Sequence, residues 1–219
     1  MHTKKYGFTI TELLVVLCIF SILLSVVYSS FQEIRKQALT ISCRVNMYQL
    51  SKGFLLYSLD YGGFLPHSDR DSDTGKNYCW FDVLDEYLNV RNLQSVKQCP
   101  QWSGAGEGET TDEHSIKMNG ALCNRERRNG KNGENGKWYW PQTWYIKDKS
   151  KTVLLVDGTM IPPLNRHTDT RIHEPHKDIS MRHNGTNLLF IDGSCAFVLP
   201  TPDGNSIPHD KFVWEPYRK

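Results

Sequence analysis

The chain has almost no net charge. Its 26 Lys and Arg offset 24 Asp and Glu, leaving +2 over 219 residues. That balance lacks the basic footprint of a nucleic-acid-binding domain, and no basic stripe runs along the sequence, so nucleic acid is not an expected partner. Gly-x-Ser-x-Gly, His-Glu-x-x-His and phosphate-loop patterns are also missing, and with them the local signatures of nucleophilic, zinc-peptidase and nucleotide chemistry. The expectation is a protein that is not an enzyme. Cysteine is sparse: Cys18, Cys43, Cys79, Cys99, Cys123 and Cys195. Their wide spacing gives no close pair of the zinc-ribbon type, so no zinc is expected from spacing.

What the chain does have is one long apolar run, from Phe8 to Tyr28. About twenty residues at ~1.5 Å rise each span a ~30 Å hydrocarbon core. Lys4 and Lys5 precede it, which predicts a cytoplasmic N-terminus, a single pass and a head outside. Glu12 is the only charged residue within the run. A carboxylate in a bilayer costs roughly 2.5–3.5 kcal/mol on insertion scales, somewhat less near a helix end, so it calls for a partner or a function.

Lys5, Gly7, Phe8, Thr9, Glu12 and Leu13 make a Lys-x-Gly-Phe-Thr-x-x-Glu-Leu pattern. This resembles the class III leader of type IV prepilins and type II secretion pseudopilins. The resemblance implies cleavage between Gly7 and Phe8 by a prepilin peptidase, with methylation of the new terminus at Phe8. It implies that Glu12 pairs with the free amine of a neighbouring subunit. It also implies an inner-membrane location, other pilin-like subunits and an inner-membrane assembly platform as partners, and a pilin-like α+β fold: a long N-terminal helix packed on a small antiparallel sheet. A membrane-tethered binding head that never polymerises is the alternative. The tryptophans Trp138, Trp140 and Trp144 suit either a recognition surface or the cover of a small core.

The domain plan that follows is a leader at 1–7, a transmembrane helix at 8–28, its continuation at 29–58 and a head at 59–219. The continuation has good helix formers, and Leu39, Val45, Tyr48, Leu50 and Leu55 suggest its buried stripe. Tyr61-Gly62-Gly63 ends it. Trp80 to Leu88 reads as a short amphipathic helix, and Val96 to Cys99 as a brief extended piece. Glycine and charge mark loops across 103–136. A β-meander occupies 152–199, with strands at Thr152–Asp157, Asn187–Ile191 and Cys195–Leu199 and turns at Asn184-Gly185 and Asp192-Gly193. Arg182-His183-Asn184-Gly185 through Asp192-Gly193 resembles the H-x9-DG signature of prepilin-like proteins with long C-terminal domains, although here eight residues separate His183 from Asp192. Cys99-Pro100 and Lys117–Gly120 are similar to segments of that class.

Candidate ligands are few. His173 and His176 could share a metal, but Pro175 between them argues against a helical ligand pair. Asp157 and Asp192 sit in loops where calcium is conceivable, because some pseudopilins hold it in C-terminal loops, yet no EF-hand spacing occurs. No cofactor is otherwise expected. Cys99 and Cys123 are the candidate disulfide, since the glycine-rich loop between them needs closure. Cys195 with His183 as a thiol dyad is disfavoured because both lie in a hairpin built for burial. His183 is expected instead to cap its turn by hydrogen bonding toward Asp192.

Overall fold

A computed structural model of the chain describes residues 7–66, 80–89, 93–102, 115–123, 126–128, 137–139, 142–158, 171–172, 179–204 and 206–214. It divides into two compact units, 1–38 and 39–219. One helix, α1 (Ile10–Asp60), runs through both.

The start of α1 is a capping box. Thr9 precedes the helix, and its hydroxyl accepts from the Glu12 amide at 3.3 Å. Glu12 Oε2 in turn accepts from the Thr9 amide at 2.8 Å and from its hydroxyl at 2.7 Å. Each residue satisfies groups that the first helical turn leaves open. The end is set by glycine. Gly62 takes φ 60°, in the left-handed region, and the Gly63 amide reaches back to the Ser58 carbonyl at 2.7 Å. This is the Schellman arrangement, which a Cβ at position 62 would oppose. The helix therefore ends at Asp60 rather than at Ser58.

In the first unit, the side chains of 10–38 are almost all exposed, and large apolar ones recur from Ile10 to Ile34. Serine hydroxyls in this stretch turn back on the helix. Ser21 donates to the Cys18 carbonyl at 2.8 Å, Ser25 to Ile22 at 2.7 Å and Ser29 to Val26 at 2.9 Å. The hydroxyls are thus satisfied locally, as an apolar solvent requires.

In the second unit, α1 buries Cys43, Met47, Leu50, Gly53, Phe54, Tyr57 and Ser58. The steps of three and four make one stripe. It is not the expected stripe: Val45, Tyr48 and Leu55 are each about half exposed or more, and only Leu50 is shared. The polar and small residues Cys43, Gly53 and Ser58 hid the true phase.

That stripe packs on a five-stranded sheet. The strands are β1 (Ile116–Asn119), β4 (Val153–Asp157), β5 (Arg171–Ile172), β6 (Thr186–Phe190) and β7 (Cys195–Val198). Their order is β5-β1-β4-β6-β7; β1, β4, β6 and β7 pair antiparallel, and β5 adds a parallel edge. A separate hairpin joins β2 (Glu126–Arg128) to β3 (Lys137–Tyr139). The α+β, pilin-like class expected from the sequence is the one observed. The span expected as loops is corrected: β1, β2 and the short helix α4 (Gly120–Cys123) lie within it. The polar alternation of Lys117 and Asn119 concealed a strand that is buried at every position.

Two cores result. The helix-side core joins Cys43, Met47, Leu50, Phe54, Trp80, Leu84, Ile116, Met118, Leu155 and Leu189, among others. Trp80 and Phe81 open the short helix α2 (Trp80–Val83), which passes into a 3-10 turn at Leu84–Glu86, and Phe54 stacks on Trp80 at 5.8 Å. The far face holds Val153, Val156, Ile179, Leu188, Phe190 and Ile207, with Phe212 and Trp214 against them. The C-terminal segment closes that face: the Val153 amide donates to the Val213 carbonyl at 3.1 Å, and the Asn119 amide nitrogen donates to the Val153 and Trp214 carbonyls at 2.9 Å each.

Register in β4 shifts between Val153 and Leu155. Leu154 and Leu155 consequently both enter the helix-side core, while Val153 and Val156 face the other way. The inserted residue resets the alternation, so Asp157, two residues beyond Leu155, falls on the helix side.

Two turn residues match expectation. Asn184 takes φ 57° and Gly193 φ 83°. Gly185 is needed for space instead: a Cβ there would lie 2.6 Å from the Val198 carbonyl oxygen and the Phe197 ring. Val96 to Cys99 is not extended; Val96 ends the short helix α3 (Leu93–Val96) and a turn follows.

Two substitutions test this packing in the full chain in detergent. Leu50→Ala, at a fully buried site, is expected to cost about 2–5 kcal/mol in urea unfolding. Gly185→Ala should also lower the midpoint, because its methyl meets backbone. A neutral Gly185→Ala would show that the β6–β7 approach is looser than described.

Candidate functional site

Among the described residues, two places combine polar chemistry with an apolar setting. One is the start of α1; the other is a buried cluster in the head.

At the first, Gly7 and Phe8 are exposed, Phe8 at 72%. A Cβ added to Gly7 would meet nothing within 4 Å among the described residues. Among the described residues, nothing demands glycine there. A shallow hollow beside it is lined by Phe8, Thr11, Glu12, Val15 and Val16. Both bonds that Glu12 accepts from Thr9 end on the same oxygen, Oε2. The acid sits in the first helical turn, where the positive end of the helix dipole favours it. Lys4 and Lys5 lie outside the described residues.

The second place is built by four segments remote in sequence. Cys43 comes from the buried stripe of α1. Cys99 comes from the turn after α3, closed by the Trp102 amide on the Cys99 carbonyl at 2.8 Å. Asp157 is the last residue of β4, and His183 lies in the loop before β6. Their ligand atoms all fall within 4.8 Å of one another. All four residues are buried, Cys43 and Asp157 completely.

The surrounding residues explain the convergence. Asn46, one turn from Cys43 on α1, donates to the Ser95 carbonyl at 2.9 Å and the Gln98 carbonyl at 3.1 Å. Those bonds hold the α3 turn against the helix and present Cys99 to Cys43. Ser115 bonds the Cys99 amide through its hydroxyl, and its carbonyl accepts from Gly158 at 2.8 Å, which ties the turn to the end of β4. Asn187 donates to the Thr40 carbonyl at 3.3 Å, fastening the start of β6 to α1.

Within the cluster, the Cys99 sulfur lies 3.0 Å from His183 Nε2. The other ring nitrogen, Nδ1, is 3.1 Å from the Thr40 hydroxyl. Asp157 divides its two oxygens. Oδ1 accepts from Arg182, whose second nitrogen donates to the Gly158 carbonyl at 3.0 Å. Oδ2 faces His183 Nε2 at 3.8 Å and is buried with no hydrogen-bond partner.

The electrostatics follow from this crowding. The hydrogen bond to Cys99, reinforced by burial, holds the Cys43 thiol far above the usual thiol range. Cys99 receives that bond and another from His183, and is lowered to about 4. Burial raises the Asp157 carboxyl well above the ordinary range, against the pull of Arg182. Anions compete for one dry space, and each makes the next harder to ionise.

Several expectations are corrected here. His183 does not cap its turn toward Asp192; it points between Thr40 and Cys99. Asp192 is exposed and bonds the amide and hydroxyl of Ser194, at 2.9 and 2.6 Å. Cys99, expected in a disulfide with Cys123, is a free thiol turned inward onto His183. The side chain of Cys123, and His173, His176 and Trp140 entirely, lie outside the described residues, as does the Trp138 side chain. Trp144 is 60% exposed and donates to the Gly62 carbonyl at 2.8 Å, over the end of α1. Of the sequence candidates, Asp157 and Cys99 enter the cluster, as does His183, each in a role other than the one expected; Cys43 was not singled out. Spacing could not reveal the cluster, because no two of its members share a secondary-structure element.

Comparison of the whole chain with curated proteins and with solved structures returned no match. Residues 2–28 match the prokaryotic N-terminal methylation motif. The motif spans Gly7, Phe8 and Glu12 and ends where the apolar part of α1 ends. It implies processing by a prepilin peptidase and pilin-like partners in general, and with the apolar helix it agrees with a membrane-anchored protein. The methylation motif, on a long helix continued into an α+β head, supports assignment of this chain to the prepilin-like family.

Proposed function

We propose that this chain is a structural subunit of a pilus-like filament of the type II secretion or type IV pilus kind. Before assembly it is held in the cytoplasmic membrane by α1, with 1–7 inside and the head outside. Prepilin peptidase cuts between Gly7 and Phe8 and methylates the new amine. The observation that carries this reading is the methylation motif at 2–28 joined to a helix whose apolar residues are left uncovered. An unencumbered Gly7 fits a requirement imposed by a peptidase rather than by the fold.

Cleavage creates a cation at Phe8 where lipid solvates it badly. A neighbour's Glu12 is the matching anion, already fixed in orientation by Thr9. Bringing the two together compensates both charges in a setting of low dielectric. Exposed apolar residues on α1 beyond the membrane segment, Ile41, Val45, Tyr48, Leu55, Leu56 and Leu59, give a further face for helix-to-helix packing. The role is assembly rather than catalysis, with motive force from an inner-membrane platform.

Two measurements check this. The mature protein from native membranes should begin with N-methyl-Phe8; a chain that still begins at Met1 would overturn the processing. Cysteines placed on α1 should crosslink into ladders in cells, and Glu12→Gln should reduce the ladders at least tenfold while monomer levels hold. Monomers alone from the wild-type chain would favour a tethered head that does not polymerise.

A further inference from the structure

We infer that Cys43, Cys99, Asp157 and His183 form a structural zinc site that locks the head onto α1. This is independent of whether the chain polymerises.

The geometry is that of a closed four-ligand site. Zinc with sulfur, nitrogen and oxygen ligands at about 2.0–2.3 Å in a tetrahedron sets neighbouring ligand atoms roughly 3.3–3.8 Å apart. Here Cys99 Sγ to His183 Nε2 is 3.0 Å, His183 Nε2 to Asp157 Oδ2 is 3.8 Å, and no pair exceeds 4.8 Å. Small side-chain adjustments bring the set onto one ion. The donor set of two thiolates, an imidazole and a carboxylate suits zinc; calcium would demand six or more oxygens.

An independent observation points to a cation. Asp157 Oδ2 is fully buried, aimed at the cluster, and has no hydrogen-bond partner. Such an orphan is costly unless something positive meets it. Arg182 does not, since it engages Oδ1. The outer groups are those a zinc ligand needs. The Thr40 hydroxyl can accept from Nδ1 and so leave Nε2 for the metal, while Arg182 orients the carboxylate.

The charges also close. Two thiolates and a carboxylate carry three negative charges; zinc supplies two positive charges and Arg182 one. Binding displaces the remaining ligand protons to water, with no oxidation or reduction. A Cys43–Cys99 disulfide is the competing use of the same sulfurs. It would leave Asp157 Oδ2 and His183 Nε2 facing a neutral bridge, which is why the structure favours zinc.

The test uses the full-length protein, extracted from membranes in mild detergent without reductant or chelator. Mass spectrometry of metals should find one zinc per chain. Exchange with cobalt should produce thiolate-to-metal charge transfer and the visible bands of tetrahedral coordination. Cys43→Ser and His183→Gln should each fall to near zero zinc, whereas Asp192→Asn, outside the cluster, should keep it. The wild-type measurements stand even if a variant misfolds. A native chain that carries no zinc and takes up no cobalt would overturn the site, as would a Cys43–Cys99 disulfide in unreduced peptides.

Discussion

Docking of the Cys43–Met47–Leu50–Phe54–Tyr57 stripe against the sheet is the constraint on which the rest depends. The same helix must satisfy two environments. Toward its start it is apolar on every side, with hydroxyls folded back onto its own carbonyls and one acid held by hydrogen bonds from a threonine cap. Past Leu39 only one stripe is buried, and that stripe fixes how α1 is rotated against the head. Rotation decides which residues face the sheet. It brings Thr40, Cys43 and Asn46 to the inside, and each then organises a different segment of the head.

That rotation links stability to chemistry. Asn46 draws in the α3 turn, Thr40 receives His183, and Cys43 meets Cys99. None of these is an apolar contact, yet all lie on or beside the apolar stripe. The helix-side core supplies the dry surroundings that make thiol, imidazole and carboxylate strongly interdependent. In water the same groups would titrate almost independently.

Much of the frame was legible in the sequence, for physical reasons. The membrane run needs only length and hydropathy. The Asn184-Gly185 and Asp192-Gly193 turns are marked by residues that accept unusual backbone angles or close approach. Gly62-Gly63 ends α1 for the same reason. What escaped was encoded by partners rather than by neighbours. The stripe of α1 was misphased because Cys43 and Ser58 do not look like core and Val45 and Leu55 do. β1 was hidden by Lys117 and Asn119, whose polar groups are accommodated within the head. The cluster was invisible because its members belong to four segments, brought together by polar side chains such as Asn46, Ser115 and Asn187. His183 was placed beside Asp192 by sequence proximity, and the fold sends it to Thr40 instead.

The shift in β4 has a consequence beyond that strand. Val153, Leu154, Leu155 and Val156 are all buried, on two faces that are both apolar. Hydrophobicity alone therefore barely distinguishes one threading of this strand from another slipped by a residue. The acid at its end does distinguish them: a slip would swing its carboxylate away from the arginine and into hydrocarbon on the far face. A single polar residue thus acts as the index mark for an otherwise ambiguous strand, and selection on that mark would hold the pairing of the whole sheet in place.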